Sequence, residues 1–151
     1  MRVVEEHVSA AVHEFFAQRW VLLLAGRATT RGRREFRSRL TGRVALKDGT
    51  ALDVSALPER EVHALLVARG APPTCVLVKD GLLEDEVTTL DSALHRVYLS
   101  REGALVSCIP GRLGLLQSDG GRTRLLLGAS NPPNTPPLNT STPSEGGDPC
   151  P

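Results

Sequence analysis

Four histidines, three cysteines and a crowd of arginines are the residues of this 151-residue chain whose types can do chemistry. A histidine with a second ligand on the same helix face makes half a metal site. A cysteine beside a base makes a nucleophile. Closely spaced arginines grip phosphate or carboxylate through planar, bidentate forks.

The histidines are placed poorly for a metal. His7 and His13 are six residues apart in a helical pattern, about 240° around the axis, so they cannot share an ion. His63 and His95 fall in two further helical patterns, and each is read without a second ligand three or four residues away. All four are expected to be solvated or half-buried, with no metal and no cofactor. Cys75, Cys108 and Cys150 are odd in number, widely spaced and free of any C-x-x-C. That pattern argues against a disulfide framework and a zinc site, and for a reducing compartment inside the cell, cytoplasm or nucleus. Cys75 opens the apolar run CVLV, and Cys108 precedes a turn with no flanking charge to lower its pKa. No G-x-S-x-G, P-loop or G-x-G-x-x-G occurs. Asp80, Glu84, Asp85 and Glu86 lack the spacing of a calcium loop. No catalytic residue is assigned.

The arginines remain. Residues 19–47 carry nine basic residues against Glu35 alone, whereas residues 48–100 carry four against nine acids. Arg31, Arg33, Arg34, Arg37, Arg39 and Arg43 are the candidate contacts to a partner or to phosphates. From Phe36 the chain alternates, with Phe36, Leu40, Val44 and Leu46 on even positions and Arg37, Arg39, Arg43 and Lys47 on odd ones. The alternation predicts a strand with one apolar and one basic face. Phe36 is the one aromatic residue of the segment and belongs to the apolar face, so no base-stacking platform accompanies the arginines. Three occupants fit such a strand: nucleic-acid phosphates, an acidic protein, or the chain's own acidic segment at 80–91.

The elements that must carry these residues read as follows. Residues 3–20 have apolar positions at helical spacing and predict an amphipathic helix. The run WVLLLAG (20–26) predicts a buried strand, and GRATTRGRR (26–34) a loop. Val-x-x-Lys-Asp-Gly occurs at both 44–49 and 76–81. Each copy is read as a hairpin turn followed by a helix, over 55–70 and 90–103, with the alternative that HRVYL (95–99) is a strand paired with ALVSC (104–108). In the first hairpin a three-residue loop, Lys47-Asp48-Gly49, pairs Val44 with Leu52 and keeps Val44, Leu46, Leu52 and Val54 on one face. The recurrence admits two explanations: a duplicated hairpin–helix unit (43–70 and 75–103), or a common turn used twice. Residues 104–111, 112–117 and 122–128 predict three strands, the last two joined at 118–121. From residue 129 the chain is rich in Pro, Ser and Thr and predicts a disordered tail.

These readings give an α+β fold: one domain over 1–128, a mainly antiparallel sheet built from hairpins, two or three helices on one face, and a disordered tail at 129–151. No membrane span is expected. The functional expectation is a non-enzymatic intracellular protein–protein interaction module, an adaptor or subunit of a larger complex. The alternative is a nucleic-acid-associated protein that binds RNA or DNA phosphates through its arginine-rich strand.

Overall fold

The computed structural model describes residues 2–128. Six antiparallel strands form one sheet: β1 (Ala51–Asp53), β2 (Thr74–Lys79), β3 (Glu86–Thr89), β4 (Ala104–Ile109), β5 (Leu113–Ser118) and β6 (Arg122–Leu127), in the order β1-β6-β5-β4-β2-β3. The register is set by pairs such as Leu77↔Val106, Leu105↔Leu116 and Leu116↔Arg124. The α+β class read from the pattern of apolar runs is the class observed. The β5–β6 turn falls where SDGG predicts it, with Asp119 and Gly120 at φ 51° and 78°. The tail at 129–151 lies outside the described residues.

β2, β4 and β5 are apolar at consecutive positions, so both of their faces need cover. Cys75, Leu77, Val106 and Leu115 pack beneath α3 (Glu59–Ala68) and α4 (Leu90–Leu99), with Val62, Leu66, Leu94 and Val97. Val76, Val78, Leu105 and Leu116 pack on the opposite side beneath α1 (Arg2–Phe15), a 3-10 helix (Gln18–Ala28) and α2 (Thr30–Arg39). The helices therefore cover both faces of the sheet, not one. The strands' lack of alternation is the physical reason. Among the described residues no helix is long and apolar enough to cross a membrane.

α3 and α4 fall where caps and spacing put them. Pro58 precedes α3, and the Thr89 side chain accepts from Ser92 N at 3.2 Å to cap α4. The N-terminal half differs from its expectation. Residues 20–26 are helical, with Trp20 buried and Leu22 exposed. A short apolar run has no periodicity to separate the two states. The arginine strand is a helix as far as Arg39 and a turn beyond it. Phe36 and Leu40 are four apart, a spacing that both a period of 2 and a period of 3.6 accept. The first hairpin does not form either. Leu46 bridges Phe16 at the end of α1, and β1 pairs with β6 through Leu52↔Leu125. Gly49 still turns the chain, at φ 77°. The second copy does give a hairpin, β2 to β3, through Val76↔Val87.

Candidate functional site

α2 begins at Thr29, whose hydroxyl accepts from Gly32 N at 2.9 Å. Gly32 lies against the 3-10 helix so closely that a Cβ there would sit 1.6 Å from the Gly26 carbonyl oxygen. Trp20 stacks edge-on between Phe16 and Phe36, at centroid distances of 5.1 and 5.5 Å. These contacts fix the 3-10 helix on α2 and decide where each arginine points.

Three arginines point inward. Arg27 is buried, with its guanidinium 4.8 Å from the Phe36 ring centroid. It pairs with Glu5 at 3.0 Å and with Asp85. Burial by itself lowers the Arg27 pKa, but hydrogen bonds and charge from Glu5 and Asp85 outweigh it and hold the pKa above its ordinary value. Arg37 is also buried, donating to Asp85 at 2.9 Å and to the Leu83 carbonyl at 3.0 Å. Asp85 thus serves two guanidiniums from a side chain only 3% exposed. Arg33 donates to the Arg27 carbonyl at 2.7 Å and to Thr30 Oγ1 at 3.3 Å.

The outward arginines have different surroundings. Arg19, Arg39 and Arg43 line one groove of about 560 Å³ with Trp20, Leu23, Ser38 and Gly42. They come from three places in the chain: the 3-10 helix, the last residue of α2, and the connection beyond it. No acidic residue lines the groove, and none of the three pairs with a carboxylate of the described residues. A second depression, about 110 Å³, adjoins it through Leu23 and Arg39 and is lined by Leu22, Gly26, Gly32, Glu35 and Phe36. Arg31 and Arg34 are exposed farther along α2.

Of the six candidate arginines, Arg31, Arg34, Arg39 and Arg43 are at the surface. Arg37 is buried, because the helix turns it about 200° away from Arg39 and into Asp85. Arg33 is half-buried and engaged by backbone. The neutralising acid falls within the acidic segment expected at 80–91. Two arginines escaped the sequence reading. Arg19 falls in the segment read as the N-terminal helix and Arg27 in one read as a loop, so their placement together on one 3-10 helix was not legible.

A pair of histidine contacts was also missed. His63 Nε2 stands 2.9 Å from Asp91, and His95 Nδ1 stands 3.7 Å from Glu59. Glu59 precedes His63 by four residues and Asp91 precedes His95 by four, a spacing the sequence displays openly. Glu59 and Asp91, like His63 and His95, are separated by 32 residues, the offset of the two Lys-Asp-Gly turns. Among the described residues no three His, Cys, Asp or Glu side chains surround a metal position. His7 meets the Ser107 hydroxyl at 2.7 Å, and burial lowers its pKa. Cys75 and Cys108 are free, buried thiols. Burial pushes Cys75 up to about 12 and Cys108 higher still, the reverse of what a nucleophile needs.

No family model, curated protein or solved structure matches the chain.

Proposed function

We propose that this chain is a non-enzymatic protein–protein interaction module, an adaptor or subunit that receives an acidic surface of its partner on the outward arginines. One observation carries this reading. Arg27, Arg33 and Arg37 are consumed by the fold, whereas Arg19, Arg31, Arg34, Arg39 and Arg43 make no ion pair with a carboxylate of the described residues. Charge left uncompensated at a surface steers and orients an oppositely charged partner. The two buried, un-ionised thiols suit the reducing interior of a cell.

Nucleic-acid phosphates are the second reading. Arg31, Arg34 and Arg39 lie on the outward side of α2 over about 12 Å, a span suited to following a backbone. The exposed large apolar residues are Val and Leu, with no aromatic among them, so such binding would be sequence-tolerant.

The test titrates the full chain against a labelled hexaglutamate peptide, duplex DNA, duplex RNA and single-stranded RNA at low and physiological salt. The variant Arg39→Glu with Arg43→Glu runs beside it. The first reading expects hexaglutamate binding that the variant loses. Nucleic-acid binding that falls steeply with salt moves the assignment to the second reading. Flat titrations with every probe sink both.

A further inference from the structure

We infer that the groove formed by Arg19, Arg39 and Arg43 is a phosphate pocket for a phosphorylated serine or threonine of the partner, with a neighbouring apolar residue of that segment seated in the depression beside it. The inference rests on the interaction-module reading and deepens it.

The shape and charge of the site select the ligand. Arg31 and Arg34 are spread along a helix, but Arg19, Arg39 and Arg43 reach one concavity from three separate places in the chain. Three arginines lining one groove suit one multivalent anion better than a string of monovalent ones. A phosphomonoester carries about −1.5 to −2 charges and three acceptor oxygens. Three guanidinium forks can serve those oxygens together. A carboxylate has two oxygens and one charge, and leaves part of the set unused. Ser38 adds a hydroxyl to the lining, and Gly42 adds backbone without a side chain to fill the space.

The adjoining depression separates a peptide from a nucleic acid. Its apolar lining is Leu22, Leu23 and Phe36, with Leu22 77% exposed. About 110 Å³ suits one aliphatic side chain. A base would seek an exposed aromatic face, and Trp20 is only 4% exposed. A sugar–phosphate backbone has no branched aliphatic side chain to place there. Glu35 at the rim of this depression disfavours a second phosphate close by, so the pattern fits one phosphate beside one apolar residue.

Trp20 is the chain's single tryptophan and lines the groove, so its emission reports occupancy directly. The experiment titrates the full chain with acetyl-Ala-Leu-phosphoserine-Leu-Ala-amide, its serine and glutamate counterparts, an all-alanine-flanked phosphoserine peptide, hexaglutamate and duplex RNA. The expected result is a saturable change with the leucine-flanked phosphopeptide, at least about tenfold tighter than with its glutamate counterpart. Alanine flanks weaken it several-fold. Arg39→Lys, which keeps the charge but loses the fork, weakens it by about tenfold, and Arg43→Gln does the same. If hexaglutamate binds while the phosphopeptide is no tighter than its glutamate counterpart, the phosphate pocket is wrong and the interaction module stands. If no peptide binds, both fail. Duplex RNA that binds more tightly than the leucine-flanked phosphopeptide overturns the inference in favour of a nucleic-acid surface.

Discussion

The Asp85 cluster and the open groove hold the same side chain in opposite circumstances. Arg37 and Arg39 are two residues apart on α2; one is buried against Asp85 and the other lines a solvent-filled concavity without a counter-ion. Helix geometry separates them, and desolvation then sets different terms for each. A buried guanidinium must find its carboxylate inside the chain, because an unpaired buried charge costs several kcal/mol. An exposed one is under no such demand. The number of arginines in a segment therefore overstates its interaction surface, and the relevant quantity is how many lack an internal partner.

The comparison can be broken first at Asp85. Asp85→Ala strands the buried Arg37 guanidinium and leaves Arg27 with Glu5 alone, and urea unfolding should show a loss of about 3–5 kcal/mol. A loss below about 1 kcal/mol would mean that Arg27 and Arg37 are hydrated and that the two regions do not differ in kind. Gly32→Ala tests the contact that positions both. The new methyl overlaps the Gly26 carbonyl, so a cost of about 1–3 kcal/mol is expected, with a shift in Trp20 emission as the 3-10 helix moves. An unchanged spectrum would show that the groove does not depend on this packing. Arg39→Glu with Arg43→Glu should leave stability within about 0.5 kcal/mol of the parent, because neither residue has an internal partner. A thermal-melt deficit well beyond that range would reveal a structural role for the groove.

A small, pH-dependent effect belongs to a half-exposed pair. Arg96 meets Glu86 at 2.9 Å and holds its carboxyl below the usual glutamate value. A depressed folded-state pKa stabilises the protein above the unfolded value and ceases to do so as pH falls through the folded one. Arg96→Gln should therefore narrow the gap in stability between pH 7 and pH 3. The change should be under about 1 kcal/mol, since both side chains are about one-third exposed and solvent screens them. A change as large as that of Asp85→Ala would place this pair in the same class as the buried cluster.

Legibility in the sequence followed the strength of local signals. α3, α4 and the β4–β5–β6 meander were readable because caps, turn residues and apolar spacing agreed with one another. β2 was readable as an interior strand from its unbroken apolar run. Residues 18–40 were not, because WVLLLAG carries no period and Phe36 with Leu40 satisfies two periods at once. The error in α2 propagated to the site: a strand puts Arg37 beside Arg39, and a helix puts it opposite. Arg31, Arg34, Arg39 and Arg43 survived as surface residues because their exposure did not depend on the period assigned to the segment. Arg19 joined the groove only through the docking of the 3-10 helix, which depends on Gly32 and on the Trp20 stack. The pairing of β1 with β6 was illegible for a related reason, since its partners are 75 residues apart at Ala51↔Leu126.

That pairing bears on the order in which the chain can assemble during synthesis. β6 is the last of the described strands to be made, yet it lies inside the sheet, between β5 and β1. The stretch from α3 to β5 has its sheet neighbours within reach as it emerges. β1 emerges earlier than any of them and must wait, with Thr50 offering its carbonyl to Leu127 only once residue 127 has appeared. The sheet is closed at its interior by its final strand, so a ribosome that stalls before residue 122 leaves β1 and the outer edge of β5 unpaired together.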